Sequence, residues 1–256
     1  MISKATIKLI KSLELRKFRT EKQLFVAEGP KLVADLISVF KPHTIVALSS
    51  WIEQNKHIKA QNMIEVNEEE LKKASILQHP QQVLAILNAP QNTEISPNEA
   101  EKICKEQLCL ALDGVQAPGN IGTIVRIADW FGIKTVLCSN KTADIFAPKA
   151  VQATMGSLAR VNVLRTNLEA LSAQITSHIP VYATALQDAK SIYQQQLSTN
   201  GLVIMGNEGN GISPQVLKNA NRRLFIPRFP QNNTGAESLN VAVAAAIICA
   251  EFRRDR

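Results

Sequence analysis

The sequence has few of the residues that mark disulfide-bonded, zinc-binding or membrane-spanning proteins. Among its 256 residues are four cysteines, none in a CxxC pair, and four scattered histidines. This pattern predicts reduced, mostly buried thiols and no zinc site. The longest uncharged apolar run, residues 241–250, is shorter than the roughly 18 residues that a membrane-spanning helix needs. We therefore expect neither a metal nor a membrane as a partner.

The N-terminus also lacks the apolar core of a secretory signal peptide. The first twenty residues are basic throughout, with no apolar stretch of roughly 7–15 residues. Together with reduced thiols, this predicts a cytoplasmic protein. A chain of 256 residues with 45% apolar and 20% charged residues can bury its own core, in one large domain or two modest ones.

Acidic residues are in the minority, and the excess of basic residues is concentrated at one end. The net charge is +7, and residues 1–22 alone carry +5. This basic arm is either a solvated helix face or an arm that follows the phosphates of a nucleic acid. The candidate RNA-binding residues are Lys4, Lys8, Lys11, Arg16, Lys17, Arg19 and Lys22.

Residues 89–104 divide the chain, because two prolines, several acids and few large apolar residues are typical of a linker. The preceding residues 1–88 predict a small α/β domain. Its expected elements are helices over 2–18 and 30–40, strands at 23–29, 44–49 and 82–87, and a helix that begins after Asn67.

After the linker, residues 105–256 alternate between strand and helix patterns, which predicts a three-layer, mostly parallel sheet with helices on both faces. The expected strands are 107–114, 134–139, 161–165, 181–186, 201–206 and 222–227. The expected helices are 123–131, 148–159, 167–178, 213–220 and 239–252.

Ligands of such sheets bind where strands end and helices begin, so the junction loops are the candidate sites. The first loop has glycines that let backbone approach a ligand closely, and Asn120 and Arg126 supply an amide and a permanent cation. The next helix is expected to begin at Thr123 as its N-cap, which places Arg126 one turn after Gly122.

The second loop, residues 206–211, is glycine-rich but has the order G-x-x-G-x-G. This is neither the dinucleotide fingerprint nor a Walker motif. Glu208 would be unfavourable beside a pyrophosphate, so the loop is either a tight turn or a site for an uncharged or cationic ligand.

The third loop follows the strand that ends at Ile226 and leads into an alanine-rich helix. Glu237 and Ser238 are either caps of that helix or site residues. The run of alanines predicts close packing against another backbone or a second subunit.

The ordered set N-x-G-x-x-x-R at 120–126, G-N-E-G-x-G at 206–211 and I-P followed by S-L-N-V-x-V-A-A-A within 226–246 resembles three signature motifs. They are those of the SpoU branch (TrmH-like) of the SPOUT RNA 2′-O-ribose methyltransferases, and the resemblance covers about residues 107–254. Residues 4–85 resemble the small L30-like domain that binds substrate in such enzymes.

The resemblance implies a catalytic domain with a trefoil knot that binds S-adenosylmethionine. It also implies a homodimer and methyl transfer to a ribose 2′-hydroxyl, in 23S rRNA rather than tRNA. The implied cofactor-binding residues are Thr184, Ala185, Leu186, Gly206, Asn207, Gly209, Ile226 and Leu239. The implied catalytic residues are Asn120, Arg126, Glu208, Ser238 and Asn240.

Two alternatives remain open at this point. The same reaction on tRNA fits the motifs, and a non-catalytic RNA-binding or ribosome-assembly factor would keep the fold. Arg126 is a poor general base because an arginine guanidinium stays protonated in proteins and has no free lone pair to accept a proton. We therefore prefer Arg126 as a clamp for an RNA phosphate that also stabilises a developing alkoxide.

Overall fold

The computed structural model describes residues 1–175, 179–185, 188–229 and 238–254. Their contacts divide the chain into two compact units. The first unit contains residues 1–91 and 144–160, and the second contains residues 92–143 and the described part of 161–256.

The elements of both units follow one another along the chain in mostly alternating order. The helices are α1 (Lys4–Ser12), α2 (Arg16–Lys22), α3 (Pro30–Ile37), α4 (Ser49–Gln54), α5 (Glu68–Ala74), α6 (Pro97–Glu106), α7 (Pro118–Trp130), α8 (Pro148–Thr154), α9 (Leu168–Gln174), α10 (Pro214–Asn219) and α11 (Val241–Arg253). The strands are β1 (Leu24–Glu28), β2 (Pro42–Ala47), β3 (Asn62–Glu65), β4 (Val83–Asn88), β5 (Leu108–Asp113), β6 (Thr135–Cys138), β7 (Asn162–Arg165), β8 (Val181–Thr184), β9 (Lys190–Ser191), β10 (Gly201–Gly206) and β11 (Arg222–Phe225).

The first unit is built on a four-stranded mixed sheet in the order β1-β4-β2-β3. β2 and β3 are parallel, whereas β4 is antiparallel to both β1 and β2. Ile10 and Leu13 pack with Leu71 of α5 over the apolar face of this sheet. The predicted small α/β fold is confirmed. Asn67 caps α5 as expected, because its side chain accepts a hydrogen bond from the Glu70 N–H and the Glu70 carboxylate accepts one from the Asn67 N–H.

The helix predicted over residues 2–18 is two helices, because the chain turns between Leu13 and Arg16. Leu15 has extended backbone angles. The Arg19 guanidinium donates hydrogen bonds to the carbonyl oxygens of Leu13 and Glu14, both at 2.8 Å. These bonds satisfy carbonyls that the break leaves without a helical partner.

The second unit has a seven-stranded sheet, among the described residues, in the order β7-β6-β5-β10-β8-β11-β9. All neighbouring strands in it are parallel. Every residue of β5 is buried, as expected for a continuous apolar run in a parallel strand that is covered on both faces. Cys109 and Ala111 share a core with α6, α9 and α10, whereas α7 and α11 pack together and contact β6 and β10. The predicted mostly parallel α/β fold is confirmed.

Two segments differ from the sequence interpretation. Residues 97–106 form α6 inside the segment interpreted as a linker, and Ala100 and Cys104 of this helix are buried. A Ser96–Glu99 capping box and Pro97 in the first turn begin the helix, and both features favour a helix start. The segment with α8, assigned by its sequence position to the C-terminal domain, groups with the first unit. Phe146 packs there against Phe25, with ring centroids 4.9 Å apart.

The cysteines are buried and unpaired, as predicted. Burial raises the pKa of Cys138 and of Cys249 to about 12, so these thiols stay uncharged at neutral pH. No helix in the described ranges is long and apolar enough to cross a membrane. Residues 176–178, the end of the helix predicted over 167–178, lie outside the described residues.

Candidate active site

The first motif is mostly helical rather than a loop. α7 begins at Pro118, which favours a first helical turn because its φ is already fixed and it has no N–H to leave unpaired. The predicted cap at Thr123 is therefore wrong: this residue is inside the helix, and its hydroxyl donates to the Gly119 carbonyl at 2.9 Å. Asn120 lies in the first turn of α7 and is half-buried. Gly114 ends β5 with a φ of +72°, which favours glycine.

The second motif forms a closed turn after β10. Asn207 and Gly211 exchange two backbone hydrogen bonds of 2.9 Å. A Cβ on Gly206 would lie 2.3 Å from the carbonyl carbon of Gly211, so only glycine fits this position. The Asn207 side-chain oxygen accepts hydrogen bonds from the N–H groups of Gly209 and Asn210. These two donors are used within the turn and are not available to a phosphate.

The turn is tied to the end of β5 at two points. The Asn207 amide donates to the Gly114 carbonyl at 2.8 Å, and the Asp113 carboxylate accepts from the Ser213 N–H at 2.8 Å. Asp113 is nearly buried and did not emerge from the sequence motifs. Asp113 is the last residue of the buried, apolar strand β5. An acidic residue is rarely buried unless it has a partner, and this is the sequence signal that could have identified Asp113.

The third motif reaches α11 through Asn240, not through Ser238. The Asn240 side-chain oxygen accepts from the N–H groups of Ala242 and Val243 and caps α11. Ser238 and Leu239 precede the cap and are exposed. The other candidate cap, Glu237, lies outside the described residues.

One chain of hydrogen bonds joins the three motifs. The Asn120 amide donates to the Glu208 carboxylate at 2.8 Å. Asn240 donates from its own amide to the Asn120 side-chain oxygen at 3.1 Å. Because Asn240 also caps α11, the direction of the Glu208 carboxylate depends on elements far apart in sequence. This Asn240–Asn120–Glu208 network is the centre of the candidate active site.

The expected cofactor residues lie where neighbouring parallel strands end. The Thr184 hydroxyl donates to the Ile204 carbonyl at 3.0 Å, and the Ala185 N–H donates to the Leu224 carbonyl at 3.1 Å. These bonds join the carboxyl end of β8 to β10 and β11. Ile226 is half-buried just after β11, and Leu239 is 49% exposed. Leu186 lies outside the described residues.

Arg126 is on α7 but is not part of the network. It is exposed and forms no hydrogen bond or ion pair with any residue that the structure describes. It lies six residues after Asn120, on a different side of the helix. It shares that exposed side with Trp130, which is 84% exposed.

The basic arm divides into exposed and structural residues. Arg19 is nearly buried; its guanidinium bonds the Asp144 carboxylate at 2.7 Å as well as two carbonyls. Its assignment to RNA binding is therefore wrong, because burial and these partners leave it no access to a phosphate. Lys11 donates to the Ser75 carbonyl, and Lys22 lies 3.9 Å from Glu21. Lys11 and Lys22 are nevertheless exposed, as are Lys4, Lys8, Arg16 and Lys17.

The fold and site define a class: a mostly parallel α/β protein with a smaller N-terminal unit, in which glycine turns and polar side chains meet at the carboxyl ends of parallel strands. The chain belongs to the SpoU rRNA methylase family, whose model matches residues 107–250. The model of an MRM3-like substrate binding domain matches residues 4–85. The family resemblance inferred from the motifs is confirmed.

Relatives and solved structures cover nearly the whole chain. The chain is 31% identical to the 23S rRNA (guanosine(2553)-2′-O)-methyltransferase RlmP of Bacillus subtilis (strain 168), over 95% of this chain and 94% of that one. A TrmH-family structure from Porphyromonas gingivalis is 37% identical with a TM-score of 0.86, over 100% of both chains. An AdoMet-bound rRNA methyltransferase from Sinorhizobium meliloti is 29% identical with a TM-score of 0.82, over 99% of this chain and 96% of that one.

Proposed function

We propose that this protein transfers a methyl group from S-adenosylmethionine to a ribose 2′-hydroxyl of ribosomal RNA, and specifically of 23S rRNA. The Asn240–Asn120–Glu208 network carries the proposal, because it joins all three family motifs at one point. Family membership supports the reaction. The names of RlmP and of the RlmB relatives support 23S rRNA over tRNA.

The residues around the network fit S-adenosylmethionine. Gly206 packs closely against the backbone of Gly211, so a ligand beside this turn would meet no side chain of residue 206. Ile226 and the half-exposed Leu239 offer apolar surface for an adenine ring. Glu208 is compatible with a positive sulfonium. We infer that Thr184, Ala185, Leu186, Gly206, Asn207, Gly209, Ile226 and Leu239 hold the cofactor, in the trefoil-knotted region that the family resemblance implies.

When bound, the cofactor supplies a methyl group that the positive charge of its sulfur already activates. In our proposal, Arg126 binds an RNA phosphate and stabilises the negative charge that develops on the 2′-oxygen. Asn120 and Asn240 hold the Glu208 carboxylate in one direction, and Ser238 faces the substrate beside Asn240. A network held in place before substrate binds needs little reorganisation during the reaction.

The exposed side of α7 supports a homodimer. Trp130 is 84% exposed and Val243, on the α11 helix that packs against α7, is 50% exposed, and aromatic side chains such as Trp130 are enriched in interfaces between subunits. Arg126 lies one turn before Trp130 on the same side of α7. A dimer formed through this side would place Arg126 at the boundary between two subunits, as the resemblance implies.

Trp130→Glu should shift the protein from dimer to monomer in analytical ultracentrifugation, and a wild-type sedimentation profile would contradict this interface.

Recognition of the RNA is assigned to the N-terminal part of the chain. We propose that residues 1–88 bind the RNA, with 89–104 as the connection and 105–256 as the catalytic domain. The exposed basic residues Lys4, Lys8, Lys11, Arg16, Lys17 and Lys22 would contact phosphates. An rRNA substrate also supports the cytoplasmic location proposed for the protein.

The decisive experiment is a map of 2′-O-methylation across total RNA, with and without the gene, together with calorimetric titration of the purified protein with S-adenosylmethionine. Loss of one 23S rRNA site is the expected result. Loss of a tRNA site instead would reassign the substrate. If no methylation site were lost and the protein bound no S-adenosylmethionine, the results would support the alternative of an RNA-binding protein without catalytic activity.

A further inference from the structure

The loop at 139–143, after β6, is held unusually firmly for a surface loop. The Arg165 guanidinium donates hydrogen bonds to three of its carbonyl oxygens: Ser139 at 3.0 Å, Thr142 at 3.1 Å and Ala143 at 3.0 Å. A planar guanidinium with several donors fixes these carbonyls relative to one another.

Two buried hydroxyls connect the same loop to the end of β5. The Gly114 N–H donates to the hydroxyl oxygens of Ser139 at 3.0 Å and Thr142 at 3.2 Å. The Thr142 hydroxyl in turn donates to the Leu112 carbonyl at 2.6 Å. The loop is therefore attached to the segment that carries the first motif.

Between these two buried residues, Asn140 and Lys141 are exposed. A Cβ placed on Gly114 would lie 3.9 Å from the Cβ of Lys141 and 3.9 Å from the Cβ of Asn207. Since Gly114 has no side chain, Lys141 and Asn207 flank an open position. Asn207 directly precedes Glu208 of the network, so Lys141 is a cation at the rim of the candidate active site.

We propose that Lys141 binds an RNA phosphate next to the nucleotide to be methylated. This inference rests on the proposed function and adds a substrate-binding residue that none of the three motifs contains. The loop fixes the backbone of Lys141 before RNA arrives, which lowers the entropy cost of ordering the contact. An ammonium on a flexible stem suits a phosphate as a point charge. The Arg165 guanidinium at the end of β7 is used on carbonyls of the loop at 139–143, whereas Lys141 is exposed to solvent.

The test compares Lys141→Ala with Lys134→Ala. Lys134 is an exposed lysine directly before β6, at the end of the strand opposite the loop that carries Lys141, and is the matched control. The probe is 23S rRNA transcribed in vitro. Filter binding across a range of salt concentrations gives the salt dependence, and steady-state methylation gives KM for RNA. Calorimetry gives the Kd for S-adenosylmethionine.

For Lys141→Ala we expect the slope of log K against log salt to fall by about one and KM for RNA to rise roughly five- to tenfold. The Kd for S-adenosylmethionine and the thermal midpoint should be unchanged, Lys141→Arg should retain most binding, and Lys134→Ala should match the wild type. A wild-type slope and KM in Lys141→Ala, or an equal loss in Lys134→Ala, would overturn the assignment. If the wild-type protein methylates no RNA, the proposed function fails, and the salt slope still tests Lys141.

Discussion

Arg19 and Glu28 of the first unit and the Asn240–Asn120–Glu208 network of the second unit use their charged and polar side chains in opposite ways. In the first unit, Arg19 and Glu28 are nearly buried and bond the fold itself. In the second, Asn120, Glu208 and Asn240 reach the surface and bond mainly to one another. A charge in the first unit therefore often stabilises structure, even within a stretch that looks like a nucleic-acid-binding arm. Other polar groups of the second unit, such as Asp113 and Arg165, also bond the fold, but Asn120 and Glu208 reach solvent and are available for chemistry.

The largest expected effect is a loss of methyl transfer by the second unit without a loss of its stability. Arg126→Ala should lower the rate of methyl transfer by at least about 100-fold, because it removes a charge that stabilises the transition state. Exposed Arg126 has no described partner to lose, so the thermal midpoint should not change. Single-turnover methylation of 23S rRNA measures the rate, and calorimetry should show near-normal S-adenosylmethionine binding. A normal rate would show that Arg126 is not catalytic.

The next effect falls on the fold of the first unit. Arg19→Met should lower the free energy of unfolding by about 3 kcal/mol, because Asp144 loses its partner in a mostly buried ion pair. Urea denaturation measures this loss. Exposed Lys17→Ala, two residues away, should change stability by less than about 0.5 kcal/mol. It should weaken the salt dependence of RNA binding instead. If Lys17→Ala lowered the stability and Arg19→Met changed only RNA binding, the division of the basic arm into structural and exposed residues would be wrong.

A double-mutant cycle on Asn120 and Asn240 sharpens the description of the second unit. Each alanine variant should lower kcat by roughly tenfold, as expected for loss of one or two hydrogen bonds. The double variant should lose less than the product of the two, because the single changes already break the Asn240–Asn120 hydrogen bond. The measurement is kcat for methylation by the wild type, the two single variants and the double variant at saturating RNA and cofactor. Fully multiplicative losses would mean that the two amides act independently.

The smallest expected effect concerns Glu28 of the first unit. Burial raises the pKa of its carboxyl above the ordinary 4.5, against the opposing hydrogen bonds from Ser75 and Ile76. The unfolded chain therefore releases this proton at lower pH than the folded one. The contribution of Glu28 to stability falls as pH rises from 4.5 through the raised value. Glu28→Gln cannot ionise, so its stability relative to wild type should increase over that window in urea denaturation. A pH-independent difference would contradict the shift.

The outline of both sheets could be predicted from local patterns. Continuous apolar runs predicted β5 and β10, and the acids after Asn67 predicted the start of α5. The predictions that failed have different causes. The break between α1 and α2 is stabilised by the Arg19 side chain, which bonds the carbonyls of Leu13 and Glu14, and local propensity does not contain such terms. The starts of α6 and α7 carry local signals that the sequence interpretation did not use, namely a capping box at α6 and a proline in the first turn of both helices.

The sequence by itself determined the class of fold, the order of the three motifs and the family they resemble, because periodicity and motif spacing are properties of the chain alone. Only the tertiary structure decided which polar residues meet. Asn120 and Glu208 are 88 positions apart, and Asn240 is 120 positions from Asn120. It also separated Arg19, held by Asp144, from the exposed lysines, and placed Lys141 beside Gly114. Hydrogen bonds and ion pairs depend on distances of a few ångströms, and folding alone brings such distant residues that close.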